Sequence, residues 1–185
     1  MYSDNYFITG VNVMLKTSKS IHLQNNNQIT LEGNVLHLSG LTLKCGLLFP
    51  HTIVKDATLH NMDPIPEGNT LILTVPSVDT PVCDLQLKML SKTPPLIDNI
   101  IVISADTAFA QKRYCNENNV SGNILFYSDA ENHDFGKKTG LQILELGLLA
   151  RSIIVCDKNK VVRYLQVVPE LTMLPDIDLA LSEIL

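Results

Sequence analysis

The stretch TLILTVPSVDTPVCD, residues 70–84, places a cysteine just past the junction of a strand and a helix. Its first six residues are apolar and rich in β-formers and predict a buried strand, whereas the residues after Cys83 follow a helical pattern. Thr80 suits the N-cap of that helix and Pro81 its first position, which places Cys83 in the first turn. Unpaired N–H groups and the helix dipole favour a thiolate there and can lower a cysteine pKa from about 8.5 to roughly 3.5–7.5. We therefore predict that Cys83 is the reactive centre.

Strands and helices alternate in the rest of the chain. The unbroken apolar run at residues 99–104 predicts a strand covered on both faces. Asp106 is expected to cap the following helix, which should reach about Cys115. The remaining predicted elements are a hairpin centred on residues 32–34, strands at 71–75, 123–127 and 151–156, a return strand at 161–168 and a terminal helix at 176–185. This pattern predicts an α/β fold with a central mixed β-sheet flanked by helices.

The length and composition predict one folded unit. A chain of 185 residues with 45% hydrophobic content can bury one substantial core. Residues 1–27 end in a polar run and are predicted to be a poorly constrained N-terminal segment, and residues 28–185 a single domain.

The charge and hydropathy exclude several functional classes. The chain has fourteen Lys and Arg residues and nineteen Asp and Glu residues, which gives a net charge of −5. The basic residues form no dense block in the sequence. Nucleic acid and anionic membranes are therefore not expected as partners. No apolar run approaches the roughly 18–20 residues that a membrane span needs, and the first residues lack the pattern of a secretory signal. We expect a cytoplasmic location.

The four cysteines, at positions 45, 83, 115 and 156, favour redox chemistry over a structural framework. Multiple structural disulfides belong to small secreted domains without a core, whereas cytosolic disulfides are usually transient and catalytic. No C-x-x-C pair is present and no histidine falls at zinc spacing with a cysteine, so no metal site and no bound cofactor are predicted. Cys45 and Cys156 are assigned no catalytic role.

Three motifs resemble the thiol peroxidase branch of the peroxiredoxins, the atypical two-cysteine kind. They are residues 76–83 (PSVDTPVC), 103–115 (ISADTAFAQKRYC) and 147–155 (GLLARSIIV). The resemblance extends from about residue 30 to residue 185 and is loose between residues 38 and 67. It implies a thioredoxin-like fold with an N-terminal β-hairpin.

The resemblance also implies the roles of five site residues. Cys83 is the peroxidatic cysteine and Cys115 the resolving cysteine, for which the alternative is an inert buried thiol. Thr80 contacts the thiolate or the peroxide, or it only caps the helix. Arg151 lowers the pKa of the thiolate and binds the peroxide, or it is a solvated charge at a strand edge. Pro76 shields the thiolate from water, or it only ends the strand.

The implied activity is that of a peroxidase. Cys83 reduces hydrogen peroxide or an organic hydroperoxide, becomes a sulfenic acid and forms an intramolecular disulfide with Cys115, which thioredoxin reduces. Because a disulfide needs Cα atoms about 4.4–6.8 Å apart, one or both helix ends are expected to unwind. The resemblance also implies a homodimer. Two alternatives remain open at this point: a thioredoxin-like binding module without turnover, and a protein thiol–disulfide oxidoreductase.

Overall fold

The computed structural model describes residues 20–21, 27–40, 42–80 and 97–182. Its strands are β1 (Ser20–Ile21), β2 (Gln28–Leu31), β3 (Asn34–His37), β4 (Val54–Lys55), β5 (Asn61–Met62), β6 (Thr70–Thr74), β7 (Asn99–Ser104), β8 (Ile124–Ser128), β9 (Gln142–Ile143), β10 (Leu148–Leu149), β11 (Ser152–Cys156) and β12 (Val162–Val167). The helices in these ranges are α1 (Ala108–Glu117), α2 (Asp134–Thr139) and α3 (Ile177–Ser182).

An eight-stranded mixed sheet forms the centre of the fold, in the order β1-β12-β11-β6-β7-β8-β4-β5. Strands β6, β7 and β8 run parallel to one another, and β11 pairs antiparallel with both β6 and β12. The segments at the centre of the sheet are rich in Ile, Leu and Val, and all five residues of β6 and of β11 are buried. The predicted central mixed sheet is therefore confirmed.

Alternate residues of the central strands enter two separate cores, because successive side chains of a strand point to opposite faces. On β6, Leu71 and Leu73 pack on one face and Ile72 on the other. The neighbouring strand β11 follows the same rule, with Ile153 and Ile154 on opposite faces. Such double coverage explains why these strands are apolar without alternation.

The face that receives Ile72 is covered by the hairpin β2–β3 and by Phe135 of α2. The hairpin turns at Glu32 and Gly33, whose φ angles of 49° and 81° are those of a two-residue turn with both central residues left-handed. This confirms the predicted N-terminal hairpin. The opposite face is covered by α1 and α3, through Tyr114 and Ile177.

Two helix starts differ from, or refine, the predictions. Thr107, and not Asp106, is the N-cap of α1, because its side chain accepts a hydrogen bond from the Ala110 N–H at 3.3 Å. The prediction that Asp106 caps the helix is wrong, since its carboxylate is turned toward another loop. The terminal helix begins at Ile177, one residue later than predicted, while Asp176 accepts a hydrogen bond from the Leu179 N–H at 2.9 Å.

Other predictions concern residues for which the structure gives little or no description. The predicted Cys83 helix lies outside the described residues. Within the N-terminal segment 1–27, the described part is Ser20–Ile21, which pairs parallel with β12, and Asn27. Several elements were not predicted: α2, the pair β4–β5 and the pair β9–β10. The strands of these pairs are only two residues long and carry no periodic signal.

Candidate active site

The loop that follows β6 carries two of the predicted site residues, Pro76 and Thr80. The Val75 N–H donates a hydrogen bond to the carbonyl of Ile103 at 3.1 Å, which continues the pairing of β6 with β7 by one residue. Pro76 is buried, and Thr80 is half-buried with its hydroxyl donating to the Ser77 carbonyl at 3.3 Å. Cys83 itself lies outside the described residues, so the structure describes the loop only as far as Thr80.

Asp106 holds this loop against the end of the sheet. One carboxylate oxygen accepts a hydrogen bond from the Ser77 hydroxyl at 2.8 Å, and the other accepts one from the Val78 N–H at 2.7 Å. The Asp79 N–H donates in turn to the Ser77 hydroxyl oxygen at 3.2 Å. Sequence reasoning assigned Asp106 to the wrong partner, because Ser77 and Val78 lie 29 and 28 residues away along the chain.

Arg151 is buried directly beside the first residue of the loop. Ser152 pairs with Thr74 across β11 and β6, and continuing this antiparallel register by one residue places Arg151 next to Val75. The Thr74 hydroxyl donates to the Ala150 carbonyl at 2.6 Å and lies 2.5 Å from the Ser152 hydroxyl. Arg151 is only 2% exposed, so it is not a solvated charge at a strand edge.

The Arg151 side chain is connected to the N-terminal hairpin through Leu171. Its Nε donates a hydrogen bond to the Leu171 carbonyl at 3.0 Å. The Leu171 N–H donates to the Thr30 carbonyl at 2.9 Å, and the Thr30 hydroxyl donates to the carboxylate of Glu170 at 2.6 Å. A guanidinium is planar, so one directed N–H bond restricts the plane of the whole group.

The Glu170 carboxylate, which accepts the hydrogen bond from Thr30, is charged at neutral pH. Burial alone would raise the pKa of Glu170, but hydrogen bonds from Thr30, Glu32, Thr172 and Gly33 outweigh burial and hold the pKa below its ordinary value. The carboxylate thus joins the β2–β3 turn to the chain beside Leu171.

Cys115 lies in the last turn of α1, half-buried against the core beneath the helix. Burial raises the pKa of its thiol above the ordinary 9.0. The thiol is therefore protonated at neutral pH and is a weak nucleophile in this conformation. At 1.5 Å per residue, Cys115 lies about 10 Å along the helix axis from Ala108, the first residue of α1.

Two kinds of contact connect α1 to the rest of the site. Gln111 is buried and donates from its amide to the Ser104 hydroxyl at 2.9 Å and to the Tyr127 carbonyl at 2.8 Å. Arg113, which we did not include among the predicted site residues, lies at the surface and forms an ion pair with Asp79 of the loop at 3.4 Å. The middle of the helix is fixed to the sheet, whereas the contact with the loop is long and exposed.

The other two described cysteines lie in the core. Cys156 is fully buried on β11, and burial raises the pKa of its thiol to about 12. Cys45 is partly buried and packs against the same core. Cys115 and Cys156 are free thiols. The buried Cys156 packs in the core as a small apolar residue.

In the described ranges, no group of three His, Cys, Asp or Glu side chains is arranged to hold a metal ion, and no helix is long and apolar enough to cross a membrane. A polar cavity of about 390 Å³ lies between β4, β8 and α2, and it is lined by none of the predicted site residues.

The comparisons with known proteins agree on one family. The Redoxin family model matches residues 48–181. A thiol peroxidase of Clostridium acetobutylicum is 36% identical over 157 residues, covering 82% of this chain and 93% of the relative. A thiol peroxidase of Staphylococcus haemolyticus is 38% identical over 158 residues, with 84% and 96% covered.

Solved structures agree with these relatives. A peroxiredoxin-like protein from Aquifex aeolicus superposes with a TM-score of 0.77 at 32% identity, covering 85% of this chain and 95% of that one. A thiol peroxidase from Chromobacterium violaceum superposes with a TM-score of 0.74 at 22% identity, covering 83% and 93%, which supports the fold alone. The predicted thioredoxin-like fold is confirmed, and neither alternative function is better supported than a peroxidase. By these matches the chain belongs to the redoxin family and, within it, to the thiol peroxidases.

Proposed function

We propose that Cys83 is the peroxidatic cysteine and Cys115 the resolving cysteine of an intramolecular two-cysteine cycle. The Cys83 thiolate attacks one peroxide oxygen, the O–O bond breaks, and the other oxygen leaves as water or an alcohol after protonation. Cys83 is then a sulfenic acid, which the Cys115 thiol attacks with loss of water to form a disulfide. A thioredoxin dithiol reduces the disulfide and returns both thiols, so no bound cofactor is required.

The observation that carries this proposal is the burial of Arg151 beside the loop that leads to Cys83. A buried guanidinium is stabilised by a nearby anion, and a thiolate is such an anion. The permanent charge of Arg151 would lower the pKa of Cys83 and hydrogen-bond the peroxide as charge develops on the leaving oxygen.

Thr80 and Pro76 would complete the pocket. Thr80 stands three residues before Cys83 in the sequence, and its hydroxyl would contact the thiolate or the bound peroxide. Pro76 is buried at the start of the loop, where its ring would keep water from the thiolate. We assign both residues to the active site, with hydrogen peroxide and organic hydroperoxides as substrates.

The resolving step requires movement of Cys115. Its thiol is half-buried, and burial raises its pKa, so attack on Cys83 needs the last turn of α1 to open. Leaving the core would return the thiol toward its ordinary pKa and bring the two Cα atoms within the roughly 4.4–6.8 Å of a disulfide.

The organisation of the working protein is also part of the proposal. We assign residues 28–185 to a single peroxidase domain with residues 1–27 as a separate N-terminal segment. The active protein is a homodimer in the cytoplasm, with no membrane or nucleic-acid partner. The long coverage of thiol peroxidase relatives supports the single domain.

Two cysteine variants test the cycle. Cys83→Ser should abolish peroxide reduction, whereas Cys115→Ser should consume one equivalent of peroxide and then stop in the presence of thioredoxin and its reductase. Cys45→Ser serves as the control and should keep full turnover. Peroxide consumption and NADPH oxidation are measured together. Continued turnover by Cys83→Ser would disprove the assignment, and sustained cycling by Cys115→Ser would remove Cys115 from it.

A further inference from the structure

The carboxylate of Asp106 is committed to the loop that leads to Cys83. Its two oxygens accept from the Ser77 hydroxyl at 2.8 Å and from the Val78 N–H at 2.7 Å. Thr107 already caps α1, so the helix does not compete for this carboxylate. Both distances are typical of hydrogen bonds to a carboxylate, which are stronger than hydrogen bonds between neutral groups.

The backbone of Asp106 is itself held by the sheet. The Ser128 hydroxyl donates to the Asp106 carbonyl at 2.5 Å, and the Asp129 N–H donates to the Ser104 carbonyl at 2.9 Å. Gln111 binds the Ser104 hydroxyl from the first half of α1. The carboxylate therefore extends from a rigid junction between β7, β8 and α1.

The loop contacted by Asp106 continues directly into the reactive segment. Val78 stands two residues before Thr80 and five before Cys83. The Thr80 hydroxyl donates to the carbonyl of Ser77, whose own hydroxyl donates to Asp106. Thr80 is therefore connected to Asp106 through Ser77.

We propose that Asp106 is a positioning residue for the peroxidatic step. It holds Ser77 and Val78 so that Thr80 and Cys83 keep one arrangement relative to Arg151. It also ties the base of α1 to this loop, which confines the resolving movement to the far end of the helix, where Cys115 lies. This inference rests on the proposed role of Cys83.

The chemistry of Ser77 predicts a graded series of variants. In Asp106→Asn, the amide oxygen can still accept from the Val78 N–H, and the amide nitrogen can donate to the Ser77 oxygen, because a hydroxyl both donates and accepts. Asp106→Ala leaves both groups without this acceptor. Ser77→Ala removes only one of the two hydrogen bonds.

Asp56 provides a matched control. Its carboxylate accepts from the Thr58 N–H at 2.8 Å, the Thr58 hydroxyl at 2.7 Å and the His60 N–H at 3.0 Å. The same kind of side chain thus holds a loop, between β4 and β5, without any hydrogen bond to residues 75–80. Asp56→Ala reports the effect of losing such an anchor away from the site.

The variants are compared as full-length reduced protein in a Cys115→Ser background. Stopped-flow oxidation by hydrogen peroxide gives the rate constant for Cys83, and the pH dependence of iodoacetamide alkylation gives its pKa. Asp106→Ala should lower the rate constant about 10–100-fold, as expected for a displaced reacting group, and raise the pKa of Cys83. Asp106→Asn should stay within about threefold of the parent, Ser77→Ala should fall between the two aspartate variants, and Asp56→Ala should leave both values unchanged.

The outcomes separate this proposal from the cycle itself. If Cys83→Ser is inactive but folded Asp106→Ala oxidises like Asp56→Ala, Asp106 has no positioning role while the cycle stands. If Asp106→Ala does not fold, Ser77→Ala decides: a parental rate constant and pKa would overturn the proposal. An equal loss in Asp106→Asn and Asp106→Ala would also overturn it, because it would indicate a need for charge and not for hydrogen-bond geometry.

Discussion

Strand β11 with the residue that precedes it, and the C-terminal half of α1, each carry an arginine and a cysteine, but these side chains are held very differently. At β11, Arg151 is 2% exposed with its Nε on a backbone carbonyl, and Cys156 is fully buried. At α1, the side chain of Arg113 is 59% exposed and reaches Asp79 only at 3.4 Å, and Cys115 is half-buried. The side chains at β11 are enclosed in the protein interior, whereas those at α1 are exposed or half-buried.

The difference arises from how each element is supported. Strand β11 is paired along both edges, with β6 and β12, and all its residues are buried. Helix α1 rests on the sheet through Ala108, Gln111 and Tyr114, and its last residues are exposed. Elements with few buried contacts open at lower free-energy cost than core strands.

This contrast matches what a two-cysteine peroxidase requires. Thiolate activation needs a cation at a constant position, because its effect on pKa and on the leaving oxygen falls with distance. Disulfide formation needs a second thiol that can travel. In the proposed cycle, the sheet would hold the cation at a constant position and a helix end would provide the thiol that moves.

The largest expected effect comes from exchanging the fixed arginine. Arg151→Ala should lower kcat/KM for peroxide about 10²–10³-fold, since the proposed role of Arg151 is to stabilise the anion that develops on the leaving oxygen. Arg113→Ala, which breaks an exposed pair, should change kcat/KM less than about threefold. Steady-state peroxide kinetics with saturating thioredoxin measure both.

Arg151→Lys serves as a companion variant if the alanine variant is unstable. It keeps the charge but loses the planar fork, so most of the loss should remain. Equal kinetics for Arg151→Ala and Arg113→Ala would remove the functional distinction between the two regions.

A smaller expected effect concerns the two thiols in the resting protein. With Cys83→Ser as background, a thiol reagent at pH 8 should label Cys115 at least about tenfold faster than Cys156, since reaction requires thiolate and access. Burial raises both pKa values, to about 12 for Cys156, so labelling of either thiol should accelerate as pH rises. Peptide mapping by mass spectrometry gives the two rates. Comparable labelling rates would show that the Cys115 thiol on α1 is no more accessible than the Cys156 thiol on β11.

The smallest expected effect concerns the connection from the N-terminal hairpin to Arg151. Glu170→Gln should cost about 1 kcal/mol of the free energy of unfolding through weaker hydrogen bonds, and should reduce kcat/KM about two- to threefold by loosening Leu171. Glu131→Gln is the control and should change neither; the exposed Glu131 carboxylate pairs with Lys55 at 3.0 Å, away from the hairpin.

The pH dependence of that effect has a defined sign. The folded pKa of Glu170 lies below its ordinary 4.5, so its contribution is present above pH 4.5 and is lost as pH falls through the folded value. The stability difference between Glu170→Gln and the parent should therefore shrink between pH 7 and acidic pH in denaturant titrations. A constant difference would mean that Glu170 does not act through its charge.

The strands that were predicted well share one property. The run at residues 99–104 is β7 with the same bounds, and the turn at Glu32 and Gly33 joins β2 and β3. Unbroken apolar runs and left-handed turn residues are local signals, so a single segment is enough to find them. Strand β4 and strand β9 are two residues long and exist only because a neighbouring strand pairs with them.

The candidate site divides in the same way. The motifs identified Pro76, Thr80, Arg151 and Cys115 as a set, because each stands at a recognisable position in a short segment. The partner of Asp106 was missed, since its hydrogen bonds span 28 and 29 residues of chain. The bond between Arg151 and Leu171 was missed for the same reason.

The amino-acid sequence alone determined the central strands, the N-terminal hairpin and the residue types that carry the redox chemistry. These depend on patterns within a few consecutive residues. Only the tertiary structure decided that Arg151 is buried beside the loop, that Asp106 serves the loop and not the helix, and that Cys115 lies on a loosely held helix end. Burial, register and long-range hydrogen bonds arise from segments that meet only after folding, so no local pattern carries them.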